Sequence, residues 1–337
     1  MSRLRFQIRL GLGLLISAVF LWLALRNVEW AEVLQALRLA SPLGLLAGLP
    51  VLVGAWVAAA VRWRVLLDPA PGLRVRDTFA YICIGFLANT VLPFRLGELA
   101  RATFIGRQKG LGVGRAMGSI AVERVFDLLA AIVLALTLTR LVEIPETTKT
   151  ALTVMIGLAF VAFGGLLILS FNQDRLHRLT DFFARWLPRP LVERVVGLAL
   201  GFASGAGVVR RPAGLAAVAG LSAALWTCGG LATLIWIRAF HLDAPWVAGL
   251  LVLVSVNLGS AIPSSPGYVG VYHGAAVWAL THWVAKEPAL AYALVTHALN
   301  MLANVVAGSF FLAQKGLSLK GLQDGGLNEG GGMKPET

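Results

Sequence analysis

The chain has 337 residues, of which 58% are hydrophobic and only 14% are charged. Soluble proteins average about 45–50% apolar and about 25% charged residues, so this composition excludes a soluble enzyme and a disordered chain. The net charge is +12, but the basic residues lie between apolar runs rather than in one patch. That distribution argues against a nucleic-acid partner and for a membrane protein.

Apolar runs set the predicted elements, since a helix needs about 20 residues to cross a bilayer core of about 30 Å. Six runs come close to this length and are predicted to span the membrane: 9–25, 43–61, 116–138, 151–169, 213–237 and 290–312. Three others are too short or too interrupted: 78–92, 247–262 and 271–283. Cys83 and Cys228 lie inside apolar runs, so neither a disulfide framework nor a zinc site is expected.

Charge asymmetry predicts the topology. With the N-terminus inside, 21 Lys and Arg residues fall in inside loops and 6 in outside loops, which leaves Arg95 and Arg124 within the membrane. This distribution predicts a multi-pass protein of the inner (cytoplasmic) membrane with both termini cytoplasmic. It requires 78–100 to enter and leave on the inside and 247–285 on the outside, so each is predicted to be a re-entrant hairpin.

The predicted fold is therefore an all-α polytopic membrane protein with about six transmembrane helices and two re-entrant helical hairpins. Both hairpins place an Asn before an aliphatic-Pro-x-x-x-Gly turn, which should break each helix at its tip. The units 43–138 and 213–312 have opposite predicted orientations, so an inverted repeat is expected within one membrane domain, 1–315. In such repeats broken helices meet at the substrate site.

Charged residues follow the first break at Arg95, Glu98 and Arg101. A charge at membrane depth costs at least about 2.5–3.5 kcal/mol, so these residues need partners or water. The Arg95 guanidinium has the geometry to bind a phosphate. Glu98 and Arg101, three residues apart, either join that site or form an interfacial pair on one helix face.

The next predicted span carries Glu123, Arg124 and Asp127 in an apolar context. Glu123 and Asp127 share a helix face, whereas Arg124 points about 100° away and could pair with Glu98. Either a carboxylate carries a proton during transport, or the charges form a structural ion-pair network. Both readings stay open at the level of sequence.

The second hairpin is polar but uncharged. Its hydroxyl and imidazole groups could bind an anionic or hydroxylated headgroup without a permanent desolvation cost, although a His here is as often structural. On the last span His297, Asn300 and Asn304 share one face, where polar residues more often join helices than bind substrate. The predicted substrate-binding residues outside the charged cluster are Asn89, Pro93, Gly97, Asn257, Ser264, Ser265, Gly267, Tyr268, Gly270, Tyr272 and His273.

Three motifs resemble those of a known family. Leu92-Pro93-x-Arg95-x-Gly97-Glu98-x-x-Arg101, Val122-Glu123-Arg124-x-x-Asp127 and the Pro-Gly-x-x-Gly turn after Pro263 are similar to signatures of the lysylphosphatidylglycerol synthase transmembrane (flippase-like) family. The resemblance covers about residues 5–315 and implies movement of aminoacylated or glycosylated lipids across the inner membrane. Many members carry Glu soon after the second Gly, where this chain has Tyr272 and His273.

Two further segments complete the predicted organisation. Residues 172–211 form a basic, amphipathic cytoplasmic segment suited to anionic lipid. Residues 316–337 are a Gly-rich tail, expected to be disordered and too small for a soluble aminoacyl transferase domain. Lysyl transfer is therefore not expected.

These features favour a bacterial lipid flippase or transporter that is not an enzyme and uses no cofactor or metal. Its predicted partners are membrane lipids, with a second copy of the chain or a glycosyltransferase as further possibilities. The alternatives are a small-solute or ion transporter, a non-catalytic partner of a lipid-linked glycosyltransferase, and a membrane enzyme using a lipid-linked substrate. The enzyme is disfavoured because the sequence contains no Asp-x-Asp pair and no His-x4-Asp spacing.

Overall fold

The computed structural model describes residues 3–67, 72–92, 96–141, 207–260 and 265–318, together with 157, 161, 164, 200, 201 and 203–205. Most of the predicted span 151–169, most of the segment 172–211 and the tail from 319 lie outside these residues. Within them the chain is helical and has no β-strand. The helices are α1 (Arg3–Leu25), α2 (Trp30–Leu39), α3 (Pro42–Leu66), α4 (Val75–Val91), α5 (Gly97–Gln108), α6 (Val113–Leu141), α7 (Pro212–Ala239), α8 (Trp246–Ser260), α9 (Val271–Leu280) and α10 (Lys286–Gln314), with short 3₁₀ turns at Gly207–Arg210 and Pro266–Tyr268.

Local sequence signals fix where the long helices begin. The Ser41 hydroxyl accepts a hydrogen bond from the Gly44 backbone N–H (3.2 Å), and Pro42 occupies the first turn of α3. Pro212 has the same place in α7. Proline is favoured there because its missing N–H would have no partner inside the helix.

Three helices of the described chain, α3, α7 and α10, are long and apolar enough to cross a membrane. A fourth span results if α1 and α2, bent by 86° at a short break, are counted together. Helix α6 has 29 residues and is also long enough, but it carries charged residues at its centre. The protein is thus a polytopic helical membrane protein, as the composition predicts.

The two predicted hairpins are present as pairs of short antiparallel helices. In the first, α4 packs against α5 so closely that a Cβ built on Gly97 would lie 2.0 Å from the Gly85 carbonyl oxygen. In the second, α8 packs against α9, and a Cβ on Gly259 would meet the Val271 side chain at 3.1 Å. Both pairs are too short to be two spanning helices, which is the geometry expected of re-entrant segments.

The two halves pack reciprocally. Helices α3 and α7 run antiparallel, since Ser41 N–H donates to the Ala239 carbonyl (2.7 Å) at one end while Arg62 contacts Ser222 (2.9 Å) at the other. Helix α10 of the second half packs on α4 of the first hairpin, and α6 of the first half packs on α8 of the second. Exchange of equivalent contacts around an antiparallel central pair is the pattern that an inverted repeat requires.

The buried apolar residues form two main clusters, one centred in each half. One cluster is built from α3, α4, α5 and α6, and the other from α7, α8, α9 and α10 together with parts of α1, α2 and α6. Helices α3 and α7 meet through small residues, with Gly48 against the Trp236 indole, whose Nε1 donates to the Leu45 carbonyl (3.0 Å). The space between the two clusters is where polar side chains collect.

Candidate functional site

A cavity of about 350 Å³ lies between the two halves. Both halves contribute to its wall, and the polar lining side chains come from α3, α4, α5 and α6 on one side and from α7 to α10 on the other. The polar and glycine residues that line it include Arg62, Asn89, Thr90, Gly97, Glu98, Arg101, Glu123, Arg124, Asp127, Trp226, Asn257, Ser260, Gly267, Tyr268, Tyr272, His297, Asn300 and Asn304. Most of the predicted site residues are thus brought to one place.

The most deeply buried cation in the wall is Arg62, near the end of α3. Its Nη1 lies 2.6 Å from Asp127 Oδ1 on α6 and donates to the Ser222 hydroxyl of α7 at 2.9 Å. Only 2% of Arg62 is exposed. The topology prediction wrongly placed Arg62 in an inside loop, because an apolar run ends at the first charge whereas a helix does not.

A second buried pair joins the first hairpin to α6. Arg101 of α5 donates a hydrogen bond from Nη2 to Glu123 Oε2 of α6, and its guanidinium lies 4.6 Å from the centre of the Trp63 ring. Trp63 is held in turn by its Nε1, which donates to the Ser119 hydroxyl (2.9 Å). Arg101 was counted among the loop residues that set the topology, but it is 7% exposed and serves inside the protein.

Arg124 is a third arginine of this cluster and is more exposed than Arg62 and Arg101. Its Nη1 lies 3.4 Å from Glu98 Oε1 on α5, and its Nη2 lies 3.1 Å from Asp127 Oδ2 one turn along α6. Its side chain is 44% exposed, against 2% for Arg62 and 1% for Glu123. Arg124 is therefore the cation of this cluster that is most available to a ligand.

The cluster balances three arginines with three carboxylates, and all of its pairs join different helices except Arg124–Asp127, which lies within α6. Glu98 and Arg101 each pair with α6 rather than with each other, so the alternative of a pair along one helix face is not the arrangement adopted. Two atoms inside the cluster have no hydrogen-bond partner among the described residues, Arg62 Nε and Glu123 Oε1, and they face each other at 3.9 Å. Burying charges without such pairing would cost several kcal/mol per ion.

The first break lies beside this cluster. The Asn89 side-chain oxygen accepts the Gly97 backbone N–H (2.8 Å), so the Asn of the motif holds the start of α5 against the end of α4. No side chain fits at Gly97, which explains the glycine. Pro93 and Arg95 in this break and Ser264 in the second lie outside the described residues.

The second break reaches the first hairpin. The 3₁₀ turn Pro266–Tyr268 packs on α4, and a Cβ on Gly267 would lie 3.5 Å from the Thr90 carbonyl oxygen and 3.1 Å from Met301. Gly267 has a φ of 68°, which glycine adopts without strain. The second turn therefore contacts the end of α4 beside the cavity.

A histidine pair anchors that turn to α10. The Gly270 N–H donates to His273 Nδ1 (3.2 Å), so His273 carries its proton on Nε2 and donates it to His297 Nδ1 (3.3 Å). His297 Nε2 then donates to the Gly267 carbonyl oxygen (2.8 Å), and its ring stacks on Tyr272 at 4.4 Å. Both imidazoles are neutral in this chain of bonds.

Three residues of the predicted site do not line the cavity. Ser265 N–H donates to the Ser17 hydroxyl of α1 (2.8 Å), and its own hydroxyl donates to the Val269 carbonyl (3.1 Å). A Cβ on Gly270 would lie 2.1 Å from the Ser17 carbonyl oxygen. Ser265, Gly270 and His273 thus position the second turn, and among the described residues they are absent from the cavity wall.

Sequence reasoning also missed residues that the cavity includes. Arg62 and Trp226 were not among the predicted site residues, while His297, Asn300 and Asn304 were noted but interpreted as helix contacts. The spacing of His297, Asn300 and Asn304 on one face of α10 is the sequence feature that could have indicated a place in the cavity wall. Nothing in the local sequence marks Arg62 or Trp226, because each gains its role from distant helices.

The described residues contain no group of three or more His, Cys, Asp or Glu side chains that could hold a metal ion.

A sequence model of the family described as the lysylphosphatidylglycerol synthase TM region matches residues 11–308. A curated relative, named Glycosyltransferase AglD, from Haloferax volcanii, is 28% identical over 340 residues, which cover 91% of this chain and 54% of the relative. The chain thus spans about half the length of that relative. No solved structure matches. The two matches point to a function related to membrane lipids or glycolipids.

Proposed function

The chain belongs to the family of the lysylphosphatidylglycerol synthase transmembrane region, and from that membership we propose that it is a flippase or transporter that moves a phospholipid or glycolipid headgroup across the inner membrane. The observation that carries the proposal is the polar cavity between two inverted halves, lined by three arginines and three carboxylates in otherwise apolar helices. Catalysis is not part of the proposal.

The polar side chains of the cavity can replace the hydration that a headgroup loses when it leaves water. A single charge at the bilayer centre costs at least about 2.5–3.5 kcal/mol on insertion scales. Arg124 can replace part of that lost hydration, because a phosphate can compete with Glu98 for the outer nitrogen Nη1, which is held only at 3.4 Å. From its place in the motif we propose that Arg95 adds a second phosphate contact.

The acyl chains would stay in the bilayer while the headgroup occupies the cavity. Helix α10 supports this division, since Asn300 and Asn304 line the cavity while Leu302, Val306 and Phe310 are each about 60% exposed on its outer face. Alternating access would follow from rocking of one half against the other about the antiparallel pair α3 and α7, as in other inverted-repeat transporters.

The test is lipid translocation in liposomes of defined composition. The purified protein is reconstituted with a tail-labelled phosphatidylglycerol or a tail-labelled glycolipid whose headgroup a membrane-impermeant reagent modifies, and protein-free liposomes give the background. We expect Arg124→Ala to lower the rate at least about tenfold, because the exposed cation of the cavity is lost. Arg140→Ala is the matched control, since Arg140 is an exposed residue of the same helix outside the cavity. Wild-type rates in Arg124→Ala would overturn the assignment.

A second function is favoured by one specific observation, the relative named as a glycosyltransferase of which this chain covers 54%. In this alternative the protein is the non-catalytic membrane partner of a lipid-linked glycosyltransferase and presents the lipid to it. Co-purification of a glycosyltransferase with the tagged protein, together with translocation by the wild-type protein no faster than in protein-free liposomes, would favour the partner role over the flippase.

A further inference from the structure

Two imidazoles form a titratable cluster apart from the ion pairs of the cavity. His273 of α9 and His297 of α10 are each 5% exposed, and one chain of hydrogen bonds runs through both rings. It begins at the Gly270 backbone N–H, which can only donate, and ends at the Gly267 carbonyl oxygen, which can only accept. The four ring nitrogens therefore hold two protons in fixed positions, one on His273 Nε2 and one on His297 Nε2.

This chain of hydrogen bonds has no position for a third proton. A proton on His273 Nδ1 would face the Gly270 N–H, which lies 3.2 Å away. A proton on His297 Nδ1 would face the Nε2–H of His273, 3.3 Å away. In either position two donors would meet without an acceptor between them, which is unfavourable in a buried site. A proton can therefore bind to the pair only if the contact between α9 and α10 changes at this point.

The surroundings of the two rings differ, and they favour His297 as the residue that binds the proton. His297 lines the cavity, whereas His273 is absent from the described cavity wall. His273 is also the third residue of α9, where the positive end of the helix dipole disfavours a cation.

His297 already has two partners that suit an imidazolium. Its Nε2 lies 2.8 Å from the Gly267 carbonyl oxygen, and a charged donor makes a stronger hydrogen bond than a neutral one. Its ring stacks on Tyr272 with the ring centres 4.4 Å apart and the planes at 11°, and the face of a tyrosine ring attracts a cation. Among the hydrogen-bond partners of His297, His273 is the one that opposes the proton, so His273 must turn away.

Other titratable groups near α10 are placed differently. Tyr268 of the second turn lines the same cavity, and Tyr292 is buried on α10 itself. The groups that lie nearer the ends of α10 or on the surface are Asp77, Tyr81 and Cys83 of α4 beside Lys315 and Gly308, Glu29, Glu32 and Arg38 of α2, Arg238 of α7, and Lys286 and Glu287 in the first turn of α10. The remaining ones are the charged residues across the cavity.

The cavity carboxylates are less suited to take the proton. Glu98, Glu123 and Asp127 each pair with an arginine. Protonation of any of them would leave that arginine without its counter-charge in a poorly hydrated site. Glu98 becomes a competitor in one case, when a phosphate takes Arg124 from it. The experiment must therefore separate His297 from Glu98.

Charge balance gives the proton a role in ligand binding. The charged lining residues of the described chain are three arginines and three carboxylates, whose formal charges sum to zero. An anionic headgroup would add a negative charge, which a proton on His297 would balance. Because coupling between two bound species is reciprocal, the headgroup then favours the proton and the proton favours the headgroup.

We propose that His297 is a proton-binding site coupled to occupation of the cavity by an anionic headgroup. His273 is a positioning residue, and its displacement by the proton moves the start of α9. The coupling to a headgroup rests on the proposed function, whereas the proton site and the movement of α9 do not. The two parts are therefore tested separately.

Hydrogen exchange of the full chain in detergent tests the proton site. The protection of residues 266–275, corrected for the intrinsic pH dependence of exchange, includes the Gly274 N–H that donates to the Gly270 carbonyl (2.8 Å). We expect this protection to fall at least about fivefold between pH 8 and pH 5, because protonation separates α9 from α10. The exposed His282 gives the control variant His282→Gln, which should show the same fall.

Two variants identify the residues responsible. In His297→Gln the amide can still accept from His273 and donate to the Gly267 carbonyl, but it binds no proton, so protection should be equal at both pH values. In His273→Gln the amide can turn either its oxygen or its nitrogen toward His297, so the fall should also disappear. Protection that is independent of pH in the wild type, or the same fall in His297→Gln, would overturn the proton site. The same fall in His273→Gln would overturn the positioning role of His273.

Translocation of a tail-labelled phosphatidylglycerol in liposomes tests the coupling. We expect the wild-type rate to be at least about threefold higher at pH 6 than at pH 8, and the rates of His297→Gln to agree within about twofold. A pH dependence that is lost in Glu98→Gln and kept in His297→Gln would assign the coupled proton to Glu98 and overturn the proposal. Absence of translocation by the wild type at either pH would overturn the flippase and the coupling together, while the exchange experiment still decides the proton site.

Discussion

Arg62 and Asp127, 65 residues apart in the sequence, join α3 to α6 through an ion pair with Nη1 2.6 Å from Oδ1. The same guanidinium reaches the Ser222 hydroxyl of α7, so one buried side chain connects three helices of both halves. A charge in this position stabilises the fold only through its partners, since its removal leaves the three buried or half-buried carboxylates Glu98, Glu123 and Asp127 with only two arginines.

We predict that Arg62→Met is strongly destabilising, by about 3–5 kcal/mol, because Glu123 and Asp127 lose a counter-charge in a buried site. Thermal unfolding in detergent, followed by intrinsic fluorescence, measures the effect. Arg38→Met on α2 is the matched control, since Arg38 is exposed and the substitution should leave the melting temperature unchanged. The double variant Arg62→Met/Asp127→Leu should recover part of the loss. A melting temperature equal to that of the wild type in Arg62→Met would contradict the stabilising role.

Run length and charge in the sequence predict the helices α3, α6, α7 and α10 and both hairpins, because apolar length is a local property. The ends of the helices are predicted less accurately. The span predicted over 43–61 continues as α3 to Leu66, which carries Arg62 into the protein. Its charge is tolerated because Asp127 neutralises it, and that partner can be identified only after the chain is folded.

The candidate site, too, can be predicted from the sequence only in part, because contacts between distant helices are known only in the folded chain. The motifs bring Glu98, Arg101, Glu123, Arg124 and Asp127 to one cavity as proposed from their spacing. Their pairing pattern and the roles of the second-half residues depend on which helix faces meet. A tryptophan in an apolar run carries no local sign that its Nε1 will lack a partner, so Trp226 is found only from the structure.

The contact between the arms of the first hairpin gives a second prediction. Gly97→Ala should lower stability by about 1–3 kcal/mol, because its Cβ would lie 2.0 Å from the Gly85 carbonyl oxygen and 2.6 Å from the Asn89 side-chain oxygen. Gly220→Ala on α7 is the control, since nothing lies within 4 Å of its Cβ position. That control should be neutral or stabilising by about 0.5–1 kcal/mol, because alanine has less conformational freedom to lose than glycine. Equal melting temperatures for the two variants would rule out the close approach.

The histidine pair gives a third prediction. His297→Phe keeps the ring that stacks on Tyr272 but leaves the Gly267 carbonyl and the His273 Nε2 donor without partners. We expect a loss of about 1–3 kcal/mol per unpaired buried group and faster proteolysis at the second turn. His282→Phe at an exposed position is the control. If His297→Phe protects the turn as well as the wild type does, the hydrogen bonds do not anchor it.

A junction outside the spanning helices gives a prediction for pH. Asp77, in the first turn of α4, accepts hydrogen bonds from Lys315 (2.7 Å), from the Arg74 backbone N–H (3.2 Å) and pairs with Lys109 (3.2 Å). Burial alone raises the pKa of the Asp77 carboxyl, but the hydrogen bonds from Lys315, Arg74 and Lys109 outweigh it and hold the pKa below its ordinary value. The carboxylate therefore ties the end of α10 to the first hairpin.

Because the folded pKa of Asp77 is lowered, its stabilising contribution is complete above the unfolded value of about 3.9 and is lost as pH falls through the folded pKa. Asp77→Asn should therefore melt at a lower temperature than the wild type at pH 7, by an amount that corresponds to about 1 kcal/mol for a partly exposed pair. The difference should shrink below about pH 4, where the wild-type carboxyl protonates as well. Asp243→Asn, at an exposed residue between α7 and α8, should follow the wild type at both pH values. A difference between Asp77→Asn and the wild type that stays constant down to pH 3 would show that the side chain acts through its shape rather than its charge.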